Sequence, residues 1–182
     1  MHLRGPDAVL AALSESKRWR RWALEALIFL AVVIGLSVWQ NRGLPEGAAP
    51  PLQGIRSDGV QVDGAGSAAA KQGKATLVVF WASWCPVCAA QAGNIEAIAD
   101  DWPVLSVAMQ SGNAATIRQY LNKHGLKLAA VVDEDGNIAA GWRARSVPTH
   151  FIIDPSGNIR FRVVGYATEI GLRARLWWAS AG

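Results

Sequence analysis

The apolar positions of this chain fall into two regimes. Trp22 to Trp39 is almost unbroken apolar sequence, with Glu25 its only charge, and the basic run Lys17-Arg18-Trp19-Arg20-Arg21 leads into it. Beyond about residue 75 the pattern becomes an alternation of short strands and helices. Leu77–Ala82 is a continuous apolar run with two Val and two aromatic residues, the pattern of a strand buried on both faces. Pro86–Trp102 carries helical spacing in Ile95, Ile98 and Trp102, and Pro103 stops it. Val104–Met109 reads as a second strand. Asn113–His124 reads as a helix with Ile117 and Leu121 on one face, ended by Gly125, and Leu128–Val132 as a short extended piece. Thr149–Asp154 and Asn158–Val164 are strands joined by Pro155-Ser156-Gly157, a hairpin. Thr168 can cap a last helix, with Glu169 well placed in its first turn. Upstream, Ser57-Asp58-Gly59 within Ile55–Val62 suggests a further hairpin, and 64–74 a loop. The order β-α-β-α-β, then β-β-α, predicts an α/β domain: a mixed sheet with helices on both faces.

The N-terminal run changes the organisation of the molecule. As a helix, 18 residues would extend about 27 Å, close to the hydrocarbon thickness of a bilayer. Trp19, Trp22 and Trp39 bracket it where interfacial aromatics sit, and the basic cluster would hold the N-terminus in the cytoplasm. Glu25 lies one turn inside the end, within reach of headgroups. A cleaved signal would end in a small-x-small site soon after the run, but Gln40-Asn41-Arg42 follows instead. A buried soluble helix would need neither the arginines nor the tryptophans. The expected organisation is a cytoplasmic basic segment over 1–21, one transmembrane anchor over 22–39, and a Gly-, Pro- and Ala-rich linker over 40–54. Residues 55–182 form the domain, on the periplasmic side of the inner membrane.

Charge adds little. Of 18 Lys and Arg against 14 Asp and Glu, the first 40 residues hold five against three. The remainder is nearly balanced, without the localised basic stripe that nucleic-acid binding wants.

Cysteine content decides the chemistry. The chain has two cysteines, Cys85 and Cys88, three positions apart, so they staple no distant loops. They fall where the first core strand meets its helix. Cys85 would sit at the helix N-terminus, where free N–H groups and the dipole favour a thiolate, and Pro86 suits the first helical position. Cys88, one turn on and expected to be more buried, lies within disulfide reach. Cys85 is then the attacking thiol and Cys88 the one that resolves a mixed disulfide. Zinc would need four ligands, with His2, His124 and His150 the obvious helpers. Copper(I) would need only the two thiolates and stays open as an alternative. No metal and no cofactor is expected for the exchange reading, since the dithiol itself carries the electrons. Val147-Pro148 is the second informative pair: Pro148 precedes an apolar strand and could present a backbone edge to a substrate peptide.

The segment Phe80-Trp81-Ala82-Ser83-Trp84-Cys85-Pro86-Val87-Cys88, with Val147-Pro148-Thr149 and Phe151-Ile152-Ile153-Asp154 downstream, resembles the thioredoxin superfamily. Within it the chain looks like the membrane-anchored TlpA/DsbE-like branch of bacterial envelope proteins, over roughly residues 55–180. The resemblance implies a thioredoxin fold, a nucleophilic Cys85, a resolving Cys88, a cis Pro148, and a substrate surface from Trp84, Pro86, Val87, Val147, Pro148 and Thr149. It implies envelope protein thiols and disulfides as partners, and a membrane electron donor or acceptor. Two positions depart from the family pattern: Val79 stands where thioredoxins bury a carboxylate, and Ala89 where they often place a cation after the second cysteine.

Overall fold

A computed structural model describes residues 19, 21–35, 43–64 and 73–181. The chain divides into two units, 1–42 and 43–182. In the first, residues 21–35 form a helix, α1, whose Trp22, Leu27, Phe29 and Leu30 are exposed. The span expected over 22–39 lies partly outside the described residues. Among the described residues, no helix is long and apolar enough to cross a membrane.

The second unit is built on a six-stranded sheet. Its strands are β1 (Gly47–Ala48), β4 (Thr76–Trp81), β5 (Val104–Met109), β6 (Ala130–Asp133), β7 (Thr149–Ile153) and β8 (Asn158–Val164). The spatial order is β1-β8-β7-β4-β5-β6. β4, β5 and β6 run parallel, while β7, β8 and β1 join antiparallel, so the sheet is mixed as expected. β2 (Gln53–Ile55) and β3 (Gln61–Asp63) form the separate hairpin around Asp58 and Gly59. The helices are α2 (Pro86–Ala99), α3 (Ala114–Lys123), α4 (Asn137–Gly141) and α5 (Glu169–Ala181).

The unbroken apolar run of β4 is explained by packing on both faces. Leu77 and Val79 meet Ile95 and Ile98 of α2 and Leu172 and Leu176 of α5. Val78 and Phe80 point the other way, into Trp142, Phe151 and Leu52. α3 packs beside α2 on the first face, with Ile117 and Leu121 against Ala108 and Ala130. Helices do lie on both faces, but unequally: among the described residues of this unit, the five-residue α4 is the helix on the second.

The rest of that second face is closed by a segment expected to be linker. From Gly43 onward the chain enters the fold: β1 pairs with β8, and Leu44 and Leu52 are buried in the core. Arg162 ties this segment down, its guanidinium donating to the Leu44 carbonyl at 3.2 Å and pairing with Glu46 at 2.7 Å. Trp142 fills the centre, fully buried, with ring centroids 5.7 Å from Phe80 and 5.0 Å from Phe151. The acidic run 133–135 also has a structural use. Both Asp133 carboxylate oxygens accept N–H groups of α4, from Ile138 and Ala139 at 2.9 Å, which satisfies donors that a helix start leaves free.

Candidate active site

The strand-to-helix junction after β4 puts the two cysteines where the sequence placed them. Cys85 is the N-cap of α2, with extended backbone (φ −94°, ψ 110°), and Pro86 opens the helix. Its Sγ accepts the Cys88 main-chain N–H at 3.2 Å, so the sulfur occupies the capping position of a helix N-terminus. Positive partial charge gathers there, and no acidic residue in the first turn opposes it. The two sulfurs are joined as a disulfide, with Cα atoms 5.3 Å apart. Both residues are 5% exposed, so burial does not separate them as expected. What distinguishes them is position: Cys85 caps the helix and Cys88 lies inside it.

The turn leading to Cys85 is held from the side by the loop after β5. The Ser83 N–H donates to Ser111 Oγ at 2.9 Å, and that hydroxyl donates to the Met109 carbonyl at 3.0 Å. The Trp84 indole N–H donates to the Gln110 carbonyl at 3.1 Å, while its ring stays 60% exposed beside Cys85. Gln110 adopts φ 47°, an uncommon conformation for a residue with a side chain, and its main-chain N–H is fixed on the Asp133 carbonyl at 2.8 Å. Sequence reasoning gave this stretch only as the end of a strand, Val104–Met109. Its use as a brace for the Trp84 turn is a tertiary contact that no local pattern reports.

Val147 packs against Cys85 and Cys88, and its carbonyl lies 3.7 Å from Cys85 Sγ. The Val147–Pro148 peptide bond is cis. Trp84, Pro86 and Val87 are exposed and Val147 is half-buried, so these four are brought together at the surface around the disulfide. Pro148 and Thr149 are buried. The Pro148 carbonyl accepts Gly165 N–H at 2.8 Å, and the Thr149 hydroxyl donates to the Ser146 carbonyl at 2.6 Å. Thr149 pairs with both Phe80 and Val164 inside the sheet, so it departs from the expectation of a substrate contact.

Behind the disulfide lies a cavity of about 40 Å³, lined by Cys88, Gln91, Trp81, Ser106, Glu96 and Tyr120 among others. His150 is fully buried in β7 opposite Val79, with Nε2 2.9 Å from Gln91 Nε2 and Nδ1 3.1 Å from the Val163 carbonyl. Burial pushes its pKa down to about 4, the Val163 hydrogen bond opposes that shift, and the nearby Arg175 adds to it. Gln91, 1% exposed, escaped the sequence reading because a polar residue one turn past Cys88 looks like helix surface. His124 caps the end of α3, stacked on Tyr120. His2 lies outside the described residues. Among the described residues, no three His, Cys, Asp or Glu gather into a metal-binding cluster.

The family model described as AhpC/TSA matches residues 47–162. A thioredoxin-like protein of Haemophilus influenzae is 33% identical over 109 residues, which cover 59% of this chain and 65% of that protein. A DsbE homologue of Paracoccus denitrificans, a thiol:disulfide interchange protein, is 37% identical over 90 residues, covering 49% of this chain and 50% of its own. The matched part thus spans about half to two thirds of the length of these relatives. The crystal structure of a thioredoxin-family thiol:disulfide interchange protein from Chlorobium tepidum shares the fold. Its TM-score is 0.61 at 21% identity, covering 75% of this chain and 97% of that one.

Proposed function

This chain belongs to the AhpC/TSA family, on its thioredoxin-like DsbE and ResA branch, and from that premise we propose that it is a thiol–disulfide oxidoreductase. It acts on envelope proteins through Cys85 and Cys88, in the reductive direction. The observation that carries this is the position of the Cys85–Cys88 disulfide. It caps a helix N-terminus, in an apolar cluster with Val147, and Trp84 and Val87 stand exposed beside it.

The chemistry follows from that placement. In the reduced form the Cys85 thiolate, held by the Cys88 N–H and the helix terminus, attacks one sulfur of a substrate disulfide. A mixed disulfide forms, and the other substrate sulfur leaves as a thiolate and takes a proton from water. Cys88 then gives up its proton and attacks Cys85 Sγ, the second substrate sulfur leaves, and the Cys85–Cys88 disulfide is restored. Two electrons have passed to the substrate, and a dithiol donor at the membrane returns them. Trp84, Pro86, Val87 and Val147 form the substrate surface. Pro148 acts from beneath it, by fixing the Val147 carbonyl beside Cys85.

The apolar α1, with Trp22 at its start, supports an anchor in the inner membrane with the domain in the periplasm. The Pro86-Val87 dipeptide and the run Ser106–Gly112 look most like suppressor-for-copper-sensitivity protein D, so a copper-stressed envelope protein stands among the substrates this reading admits, beside apocytochrome c and another thioredoxin-like protein. The test is trapping. Cys88→Ala should accumulate mixed disulfides with envelope proteins through Cys85, and Cys85→Ala should accumulate none. Equal trapping by both variants would overturn the assigned roles.

A further inference from the structure

Gln91 lies one helical turn beyond Cys88 on α2 and lines the same cavity. Its amide orientation can be derived from partners whose own roles are unambiguous. The Ala167 main-chain N–H can only donate, so the Gln91 atom 3.2 Å from it is the carbonyl oxygen Oε1. That leaves Nε2 facing His150 Nε2 at 2.9 Å. The Val163 carbonyl can only accept, so His150 Nδ1, 3.1 Å away, carries the ring proton and Nε2 is a bare acceptor. The hydrogen bonds therefore run one way: Ala167 N–H to Gln91 Oε1, Gln91 Nε2–H to His150 Nε2, His150 Nδ1–H to the Val163 carbonyl. A depressed His150 pKa agrees with the neutral ring that this chain requires.

An amide nitrogen has two hydrogens, and His150 takes one. The other has no protein acceptor among the described residues, in a group that borders the Cys88 cavity. We propose that this second N–H of Gln91 is the hydrogen-bond donor to the Cys88 sulfur when it becomes a thiolate. The bonds to Ala167 and His150 keep the amide turned for that task. This rests on the dithiol-exchange reading and names a residue for its second step.

The need is physical. Cys88 must lose its proton to attack Cys85 Sγ, and a charge on a sulfur only 5% exposed is disfavoured unless a donor meets it. Of the other polar groups near it, one has the wrong sign and the rest lie on elements other than α2. Glu96 lines the same cavity, but its carboxylate accepts the Lys127 and Leu128 N–H groups and would repel a thiolate. The Ser106 hydroxyl, on β5, is held by the Trp81 indole N–H, which it accepts at 2.7 Å, and keeps its own O–H. Tyr120 stacks on Trp81 and His124, and Arg175 on α5 bears on His150.

The test is a cysteine-carbon NMR titration of the reduced full chain. Gln91→Met removes the amide. Gln91→Glu keeps the length of the side chain but, ionised where Cys88 titrates, offers no N–H and a charge of the thiolate's own sign. Gln91→Met should move the Cys88 titration up by about 1 pH unit or more, the size of a hydrogen bond to a charged group, and leave Cys85 where it was, while Gln91→Glu should move Cys88 further. Resolution of a preformed mixed disulfide at neutral pH should slow about tenfold. An unmoved Cys88 in Gln91→Met would overturn the proposal. Should both variants fail to fold, the Gln91 side-chain amide of the native chain decides: its resonance should follow the Cys88 titration, and a flat response would overturn the donor role. A wild-type chain that reduces no disulfide would refute the proposed function, while the Cys88 titration would still report on Gln91.

Discussion

Removing one oxygen atom, by Ser111→Ala, should loosen the active-site turn from a distance. Ser111 is 5% exposed, and its Oγ both accepts Ser83 N–H at 2.9 Å and donates to the Met109 carbonyl at 3.0 Å. Alanine leaves both main-chain groups without that partner. A net hydrogen bond is worth about 1 kcal/mol, and a buried group left unpaired costs about 1–3 kcal/mol. Ser83 is only half-buried, so water recovers part of its share, and the expected loss is about 1–2 kcal/mol. With a urea m-value of about 2 kcal/mol per molar, the unfolding midpoint should fall by roughly 0.5–1 M. The loss also has a direction. Ser83 lies two residues before Cys85, and of the two ties from the loop after β5 to the Trp84 turn the indole bond to the Gln110 carbonyl at 3.1 Å would remain. Reduction of a protein disulfide should slow several-fold. Alkylation of Cys85 by a small reagent should change little, because the N-terminus of α2 is intact. An unchanged urea midpoint would refute the hydrogen-bond accounting. A midpoint that falls while both rates fall in equal proportion would refute the role of this loop in presenting the Trp84 surface.

Other outcomes follow from the same structure. Trp142→Ala removes the largest fully buried side chain and should destabilise the domain by about 3–5 kcal/mol, read as a lowered urea midpoint. His150 titrates at about 4 in the folded chain against 6.5 in the unfolded one, so its contribution is fully present above pH 6.5. As pH falls toward 4 the unfolded chain binds a proton that the folded one refuses. Stability should then drop by up to about 3 kcal/mol, and this part of the pH slope should vanish in His150→Gln. A reporter that works only in the periplasm should be active when fused after Gly182, and activity of a cytoplasmic reporter there would refute the topology.

Much of the α2-side face of the sheet was legible in the sequence because its signals are local. The apolar run of β4, the proline at the start of α2 and the two cysteines lie within a dozen residues, and each is read from its immediate neighbours. The opposite face was illegible because short pieces close it. α4 is five residues, too brief for helical periodicity, and Leu44 and Leu52 sit in a segment whose Gly, Pro and Ala content reads as linker. Their burial is set by contacts with Trp142 and Phe80 far along the chain, which no window of sequence contains. The active site divides the same way. Cys85 and Cys88 announced themselves, as did Val147-Pro148 ahead of its apolar strand, and Trp84 came through the resemblance. Ser111, Gln91 and the hydrogen-bonding of His150 became visible only once β5, β7 and α5 were brought against α2.

Electron transfer from the reduced full chain to a protein disulfide tests the central claim most directly. Insulin can serve as substrate, with new thiols counted as the Cys85–Cys88 pair reoxidises. Two substrate thiols should appear for each pair oxidised, and none should appear with Cys85→Ala. Retention of one copper(I) per chain with no substrate thiols formed would contradict it.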